Sequence, residues 1–167
     1  MKDPFFERTL VLLWHHDEEG AVGVVINRPV QDHTLNDVLS IEGLDLSDFP
    51  SGHLSWGGPV ETDRGTEVTS GEFSGSDVWL VGRGITVTRS NEALTALLQQ
   101  RAPLVLCLGY AGWGPGQLDQ EIETGGWLFA DIDPELILGG DQQTAYERAL
   151  ASLGLTPNTV WMQPVDA

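Results

Sequence analysis

Apolar and polar positions along the chain change period several times, and each change marks an element. "RTLVLLWHH" is an apolar, β-rich run, "DEEG" is a polar turn ending in Gly20, and "AVGVVINRP" is a second β-branched run. Two strand-like runs around a short polar loop predict a hairpin, with strands over residues 9–14 and 21–26 and Pro29 ending the second. "TLND" predicts a helix start, with Thr34 as the cap and Asp37 in the first turn, and the helix fades by Gly43. "HLSWGGPV" and "TEVTS" predict further strands around a turn at Gly57–Pro59. "DVWLVGRGITVT" alternates poorly and holds Gly82 and Gly84, which fits a strand with a bulge or sharp bend.

Ser90 predicts a cap for a helix over 90–100 that carries Leu94, Leu97 and Leu98 on one face. "PLVLCLGY" is apolar throughout, as in a central strand covered on both sides, over residues 103–109. A helix follows at 115–124, ended by Gly125 and Gly126, and "WLFADI" predicts another strand. Asp133–Pro134 opens a helical turn. Tyr146, Ala149, Leu150 and Leu153 mark an amphipathic helix over 142–153 that stops at Gly154. The sum is a mixed α/β or α+β chain with about six to eight strands. Its 167 residues suit one domain spanning 1–167.

Composition adds a strong charge imbalance. There are 25 acidic and 8 basic residues, for a net charge of −17. Such a surface repels nucleic acid and anionic membranes at long range. It fits a solubility bias or a salty cytoplasm, or else an acidic face for a partner. No helix pattern gathers several basic residues on one face, so direct duplex binding is not expected. No run reaches the length of a membrane span, and the first residues lack the apolar core of a signal peptide. The single cysteine, Cys107, cannot form an intramolecular disulfide, which agrees with a cytoplasmic location.

Candidate chemistry is sparse. "GYAGWGPGQLDQEI", residues 109–122, joins the buried run to a helix with four glycines, a proline and two aromatics. Glycines at 109, 112, 114 and 116 miss the G-x-G-x-x-G spacing, and no lysine follows as in a P-loop. Asp119, Glu121 and Glu123 would repel a phosphate. The segment therefore predicts positive φ and close packing, with Tyr110 and Trp113 wedged against the sheet or offered to a ligand or protein. "HHDEE" holds metal-ligand residue types at a turn, but His15 and His16 point to opposite faces of a strand, so no metal is expected. Cys107 sits in an apolar run and should be a buried, inert thiol. No serine lies in a G-x-S-x-G elbow. Arg28 in "NRP" and Arg64 in "DRG" stand beside turn residues. Each fits an Arg–Asp pair locking a loop, or an anion site in common with Tyr110 and Trp113.

"DPFFERTLVLL", "HDEEGAVGVVINRP", "WGGPVETDRG" and "GYAGWGPGQLDQEI" resemble, in that order, the bacterial AlgH/YqgE family, over nearly the whole chain from Asp3 to about Leu153. The resemblance implies an α/β fold with a bifurcated, partly barrel-like mixed sheet flanked by helices. It implies no established enzyme activity, no cofactor and no catalytic residues to carry over. One lineage is assigned as a transcriptional regulator of exopolysaccharide production, in terms that resemble a genetic assignment and not a DNA-binding mechanism. Members of the family usually carry an apolar strand before "DPFF"; this chain begins almost at the motif, so one sheet edge is expected to lack that strand. The leading expectation is a binding or regulatory protein that contacts a protein or small molecule. Two alternatives stand beside it: a hydrolase-like enzyme with a cleft lined by Arg28, Arg64, Tyr110 and Trp113, and a direct DNA-binding regulator.

Overall fold

The structure is a computed structural model that describes residues 6–41, 52–71, 75–139 and 141–157. The first hairpin forms as the pattern predicts: β1 (Val11–Asp17) and β2 (Gly20–Val25) pair antiparallel, with Asp17 opposite Gly20. Helix α1 (Leu35–Ile41) opens with a reciprocal cap. Asp37 N–H donates to Thr34 Oγ1 at 3.2 Å, and Thr34 N–H donates to Asp37 Oδ2 at 2.8 Å. The expected end of this helix near Gly43 lies outside the described residues.

Strands β3 (Gly52–Trp56), β4 (Val60–Thr69), β5 (Val78–Gly82) and β6 (Ile85–Thr88) follow. The stretch expected to be one bent strand is a hairpin, β5 against β6. Arg83 and Gly84 form its two-residue loop, with φ of 50° and 80°. Positive φ at both loop positions matches the twist of the strands, so "GRG" is a hairpin signal, and the expected irregularity lies just before it, where the register shifts between Leu80 and Gly82. Helix α2 (Asn91–Gln100) starts at Ser90, whose Oγ accepts from Ala93 N–H at 3.3 Å. Strand β7 (Leu104–Trp113) and helices α3 (Gln117–Glu123), α4 (Pro134–Leu138) and α5 (Ala145–Ser152) complete the described elements, with a short 3-10 turn at Gln142–Thr144 before α5.

All seven strands join one sheet in the order β1-β2-β7-β4-β6-β5, with β3 also on β7. Strand β7 is its trunk. Residues 104–108 lie between β4, antiparallel, and β3, parallel. Residues 111–113 then leave β3 and pair with β2. The sheet thus forks at Gly109, and Ser55 of β3 holds the other branch. Its hydroxyl donates to Val25 O at 2.9 Å and accepts from Arg28 N–H at 3.2 Å. The outer strands β1 and β5 approach each other, and Trp14 and Trp79 meet with ring centroids 5.7 Å apart. The result is a mixed α+β fold with a nearly closed, barrel-like sheet and flanking helices.

Two sequence expectations are corrected here. The glycine segment is not the strand-to-helix connection from Gly109 onward. Strand β7 continues to Trp113 because β2 offers a fresh ladder, and only Gly114–Gly116 link it to α3. Residues 127–132, expected as a strand, form no ladder with any described strand, and Leu128 and Phe129 are exposed. A strand needs a partner edge as well as an apolar run.

The alternation of β7 feeds two apolar layers. Val105 and Cys107 join Leu12, Val24, Val68, Ile85 and Val87 inside the barrel. Leu104 and Leu106 join Leu39, Leu54, Leu94 and Leu97 under α1 and α2.

Candidate functional site

A cleft of about 650 Å³ opens between β4, the loop into α2, and the apolar faces of α1 and α2. It is built by an excursion in β4. Val60 pairs with Tyr110 and Gly65 pairs with Leu108, so Glu61, Thr62, Asp63 and Arg64 bulge out opposite the single residue Gly109. This bulge carries three charged side chains to the cleft rim. Glu61 has φ of 48°, as a bulge of this kind requires.

Deeper in, β4 resumes its ladder, and Glu67 faces α1 and α2 beside its partner Leu106. Glu67 is 3% exposed, and its Oε2 has no hydrogen-bond partner. Burial pushes its carboxyl up to about 8 from 4.5, against a smaller opposing pull from its own backbone N–H and from Arg89. Burial therefore favours the neutral acid form of Glu67.

Arg89 precedes the cap residue of α2 and reaches across the cleft. Its Nη2 donates to Glu61 Oε2 at 2.7 Å, and its guanidinium lies 5.0 Å from the Tyr110 ring centroid. Its Nε is buried without a partner. Arg64 Nη1 approaches the same Glu61 oxygen at 3.8 Å, half-exposed. The Arg89 hydrogen bond holds the Glu61 carboxyl below its ordinary range.

The four residues singled out in the sequence divide between two places. Arg64 lines the cleft, and Tyr110 supports it through Arg89. Arg28 lies over the Trp56 ring, 4.9 Å from its centroid. Trp56 meets Phe6, which meets Trp113 and Trp127 in one aromatic cluster. Trp113 is 8% exposed and serves as core. Arg64 faces Glu61 at the bulge, and Arg28 stacks on the Trp56 indole.

Glu67, Arg89 and Glu61 escaped the sequence reading. Glu67 left one signal, an acid inside the β-branched run "TEVT" with no basic neighbour in sequence. Arg89 left none, because its importance comes from a tertiary approach to a bulge.

The histidines of the first turn go to different carboxylates, His15 to Asp17 at 2.8 Å and His16 to Asp119 of α3 at 2.9 Å. Among the described residues, no three His, Cys, Asp or Glu side chains gather as a metal set. Cys107 is fully buried, and burial, then the nearby Glu67, raise its thiol well above the usual range. A second cavity of about 310 Å³, between β1 and residues 127–137, is lined mainly by apolar side chains. Among the described residues, no helix is long and apolar enough to cross a membrane.

Comparison with known proteins agrees with the fold and the motifs. The AlgH-like family model matches residues 1–158. A UPF0301 protein of Caulobacter vibrioides is 40% identical over 161 residues, covering 93% of this chain and 83% of that protein. One from Rhodopseudomonas palustris is 38% identical over 168 residues, covering 94% and 77%. The solution structure of the AlgH protein from Pseudomonas aeruginosa superposes with a TM-score of 0.73 at 32% identity, covering 100% of this chain and 90% of that one. A crystal structure of a Corynebacterium diphtheriae protein gives 0.69 at 22% identity, over 90% and 80% of the two chains, and so shares the fold. By sequence and by fold, the chain belongs to the AlgH-like family.

Proposed function

We propose that this chain is a cytoplasmic binding protein with a regulatory role, and that it acts by reversibly holding a small molecule in the cleft lined by Glu67, Arg64 and Arg89. One observation carries the reading. Glu67 Oε2 is a buried polar atom with no partner, on a residue that lines a cleft of ligand size. A buried polar group normally finds a hydrogen-bond partner, since leaving one unmade costs roughly 1–3 kcal/mol. A ligand atom satisfies it. Apolar floor with a few convergent polar groups is the usual lining of a small-molecule site.

The same reading argues against duplex DNA as a direct partner. Arg8, Arg64 and Arg89 are ion-paired with glutamates. Arg148 donates to the backbone oxygens of Gly139 and Asp141. The 8 basic residues stand against 25 acidic ones, a poor balance for neutralising phosphates. Any effect on transcription then passes through the ligand or a protein partner.

The test is a fragment screen by methyl NMR, reading Leu39, Leu94 and Leu106 in the cleft floor. Fragments that shift these methyls, and shift them less in Glu67→Leu, support the reading. A screen in which they stay silent while other surfaces respond sinks it. Turnover of a bound fragment would favour the hydrolase-like alternative, with Glu67 as the general acid.

A further inference from the structure

We propose that the ligand of this cleft is a small carboxylate with a hydrocarbon body, held by two hydrogen bonds, one from the Glu67 carboxyl O–H and one from Arg89 Nε–H. The proposal rests on the binding reading above and names the chemistry of its ligand.

Glu67 and Arg89 both line the cleft, and each has one buried polar atom without a partner, Oε2 and Nε. Nε–H can only donate. The Glu67 carboxyl engages its own backbone N–H, and Oε2 is the oxygen left unpartnered. Placing the acid proton on Oε2 makes this second atom a donor as well. Two donors on side chains that line one cleft suit a group with two acceptor oxygens and no hydrogen of its own, which a carboxylate is. An amine brings only donors and meets the Arg89 guanidinium. A primary amide matches one donor with its oxygen and leaves the other facing N–H groups.

The rest of the cleft fits an apolar body. Val38 and Leu39 of α1, Leu94 of α2, and Leu106 and Leu108 of β7 line it. The volume of about 650 Å³ holds a small organic acid and not a macromolecular chain.

Charge decides the pH behaviour. The groups facing Glu67 are Arg89 from the β6–α2 loop and Glu61, Asp63 and Arg64 from the β4 bulge. Among the lining residues α1 contributes no charge, α2 contributes only Asn91 and Thr95 as polar groups, and Cys107 of β7 lies behind the sheet. Arg64 and Arg89 balance Glu61 and Asp63, so the proton on Glu67 decides whether an anion is accepted. With Glu67 neutral, the carboxylate meets two donors. With Glu67 ionised, it meets a like charge in a buried place. Burial pushes the Glu67 carboxyl up to about 8, so the cleft is expected to hold a carboxylate below that pH and to release it above.

The experiment titrates the full chain with three probes of one chain length, hexanoate, hexylamine and hexanamide, at pH 6.5 and 9.5. Binding is read by calorimetry and by the cleft methyl shifts. Hexanoate is expected to bind best, and to weaken by more than about tenfold at the higher pH. Glu67→Gln keeps an N–H donor without a proton to lose. It is expected to hold hexanoate within a few-fold and to remove the pH dependence. Glu67→Leu should lose binding. If that variant fails to fold, the pH profile of Glu67→Gln still decides. Glu18→Gln, on the β1–β2 turn, removes a charge elsewhere and should change nothing. Three results overturn the proposal while leaving the binding reading in place: tighter hexylamine binding, preferred hexanamide, or an unchanged pH fall in Glu67→Gln. Silence from all three probes overturns the carboxylate proposal, and a silent fragment screen as well removes the binding reading beneath it.

Discussion

Replacing the glycines of "GYAGWGPG" one at a time with alanine should give graded losses of stability. Gly109 has φ of 80°, and an added Cβ would overlap the carbonyl oxygen of Gly58 and lie 3.0 Å from that of Val60. The left-handed conformation costs an L residue roughly 1–2 kcal/mol. Overpacking against backbone that cannot rotate away adds about 1–3 kcal/mol. Gly109→Ala should therefore lose about 2–5 kcal/mol, or about 4–20 °C in Tm at roughly 2–4 °C per kcal/mol for a chain of this size. Gly116 has φ of 70° but nothing within 4 Å of its Cβ position, so alanine there should lose only about 1 kcal/mol. At Gly112 the nearest atom is a Tyr110 ring carbon at 3.8 Å, and at Gly114 it is Gln117 Oε1 at 3.8 Å; neither has a positive φ. Those two variants should be neutral, or up to about 1 kcal/mol more stable, because alanine narrows the unfolded ensemble. Urea denaturation of the four variants, followed by tryptophan fluorescence, measures the series. A Gly109→Ala variant as stable as Gly112→Ala would refute the close-approach account of the fork.

Three further outcomes follow from the same structure. Glu67 binds its proton more tightly folded than unfolded, so stability should be greatest below about pH 4.5 as far as this group is concerned. It should fall by up to roughly 1.4 kcal/mol per unit between 4.5 and about 8, and level off above, with Glu67→Gln flattening that slope in denaturant titrations. Cys107 should resist a thiol reagent at pH 8 in the native protein and react at once in 6 M guanidinium; fast native labelling would contradict its burial. Ser55→Ala should lose roughly 1–3 kcal/mol, since it strands the Arg28 N–H and the Val25 carbonyl at the branch, and Ser55→Thr should not restore it if the branch is packed as described.

What the sequence made legible is local. Thr34–Asp37 and Ser90 announce their helices because a cap is a contact between near neighbours, and Leu94 and Leu97 show which face is buried. The β1–β2 hairpin was visible for the same reason, and the apolar run ending at Leu108 marked a strand covered on both sides. The fork at Gly109 was not legible, since it depends on β2 and β3 arriving at one edge of β7 from distant parts of the chain. "WLFADI" misled because its pattern shows apolarity and cannot show a missing partner strand. In the site, Arg64 was found through its turn, whereas Glu67 and Arg89 became significant only when the β4 bulge drew a rim above them. Tyr110 and Trp113 looked like one feature because they are three apart. On a strand that spacing places them on opposite faces, one under Arg89 and one in the aromatic cluster.

The position of β7 also has a consequence for how the chain is made. Ala21 waits for Trp113, Gly52 for Leu104, and Val68 for Val105. A ribosome adding about 5–20 residues per second exposes the β1–β2 hairpin, β3 and β4 for several seconds before their common partner emerges. The β1–β2 hairpin can close early, and β5–β6 can add to β4, but without β7 the two pieces have no common sheet. Such late, non-local closure belongs to the slow end of folding rates. A nascent chain cut before Leu104 should therefore depend on chaperones, and release of about the first 115 residues should mark the onset of protease resistance during synthesis.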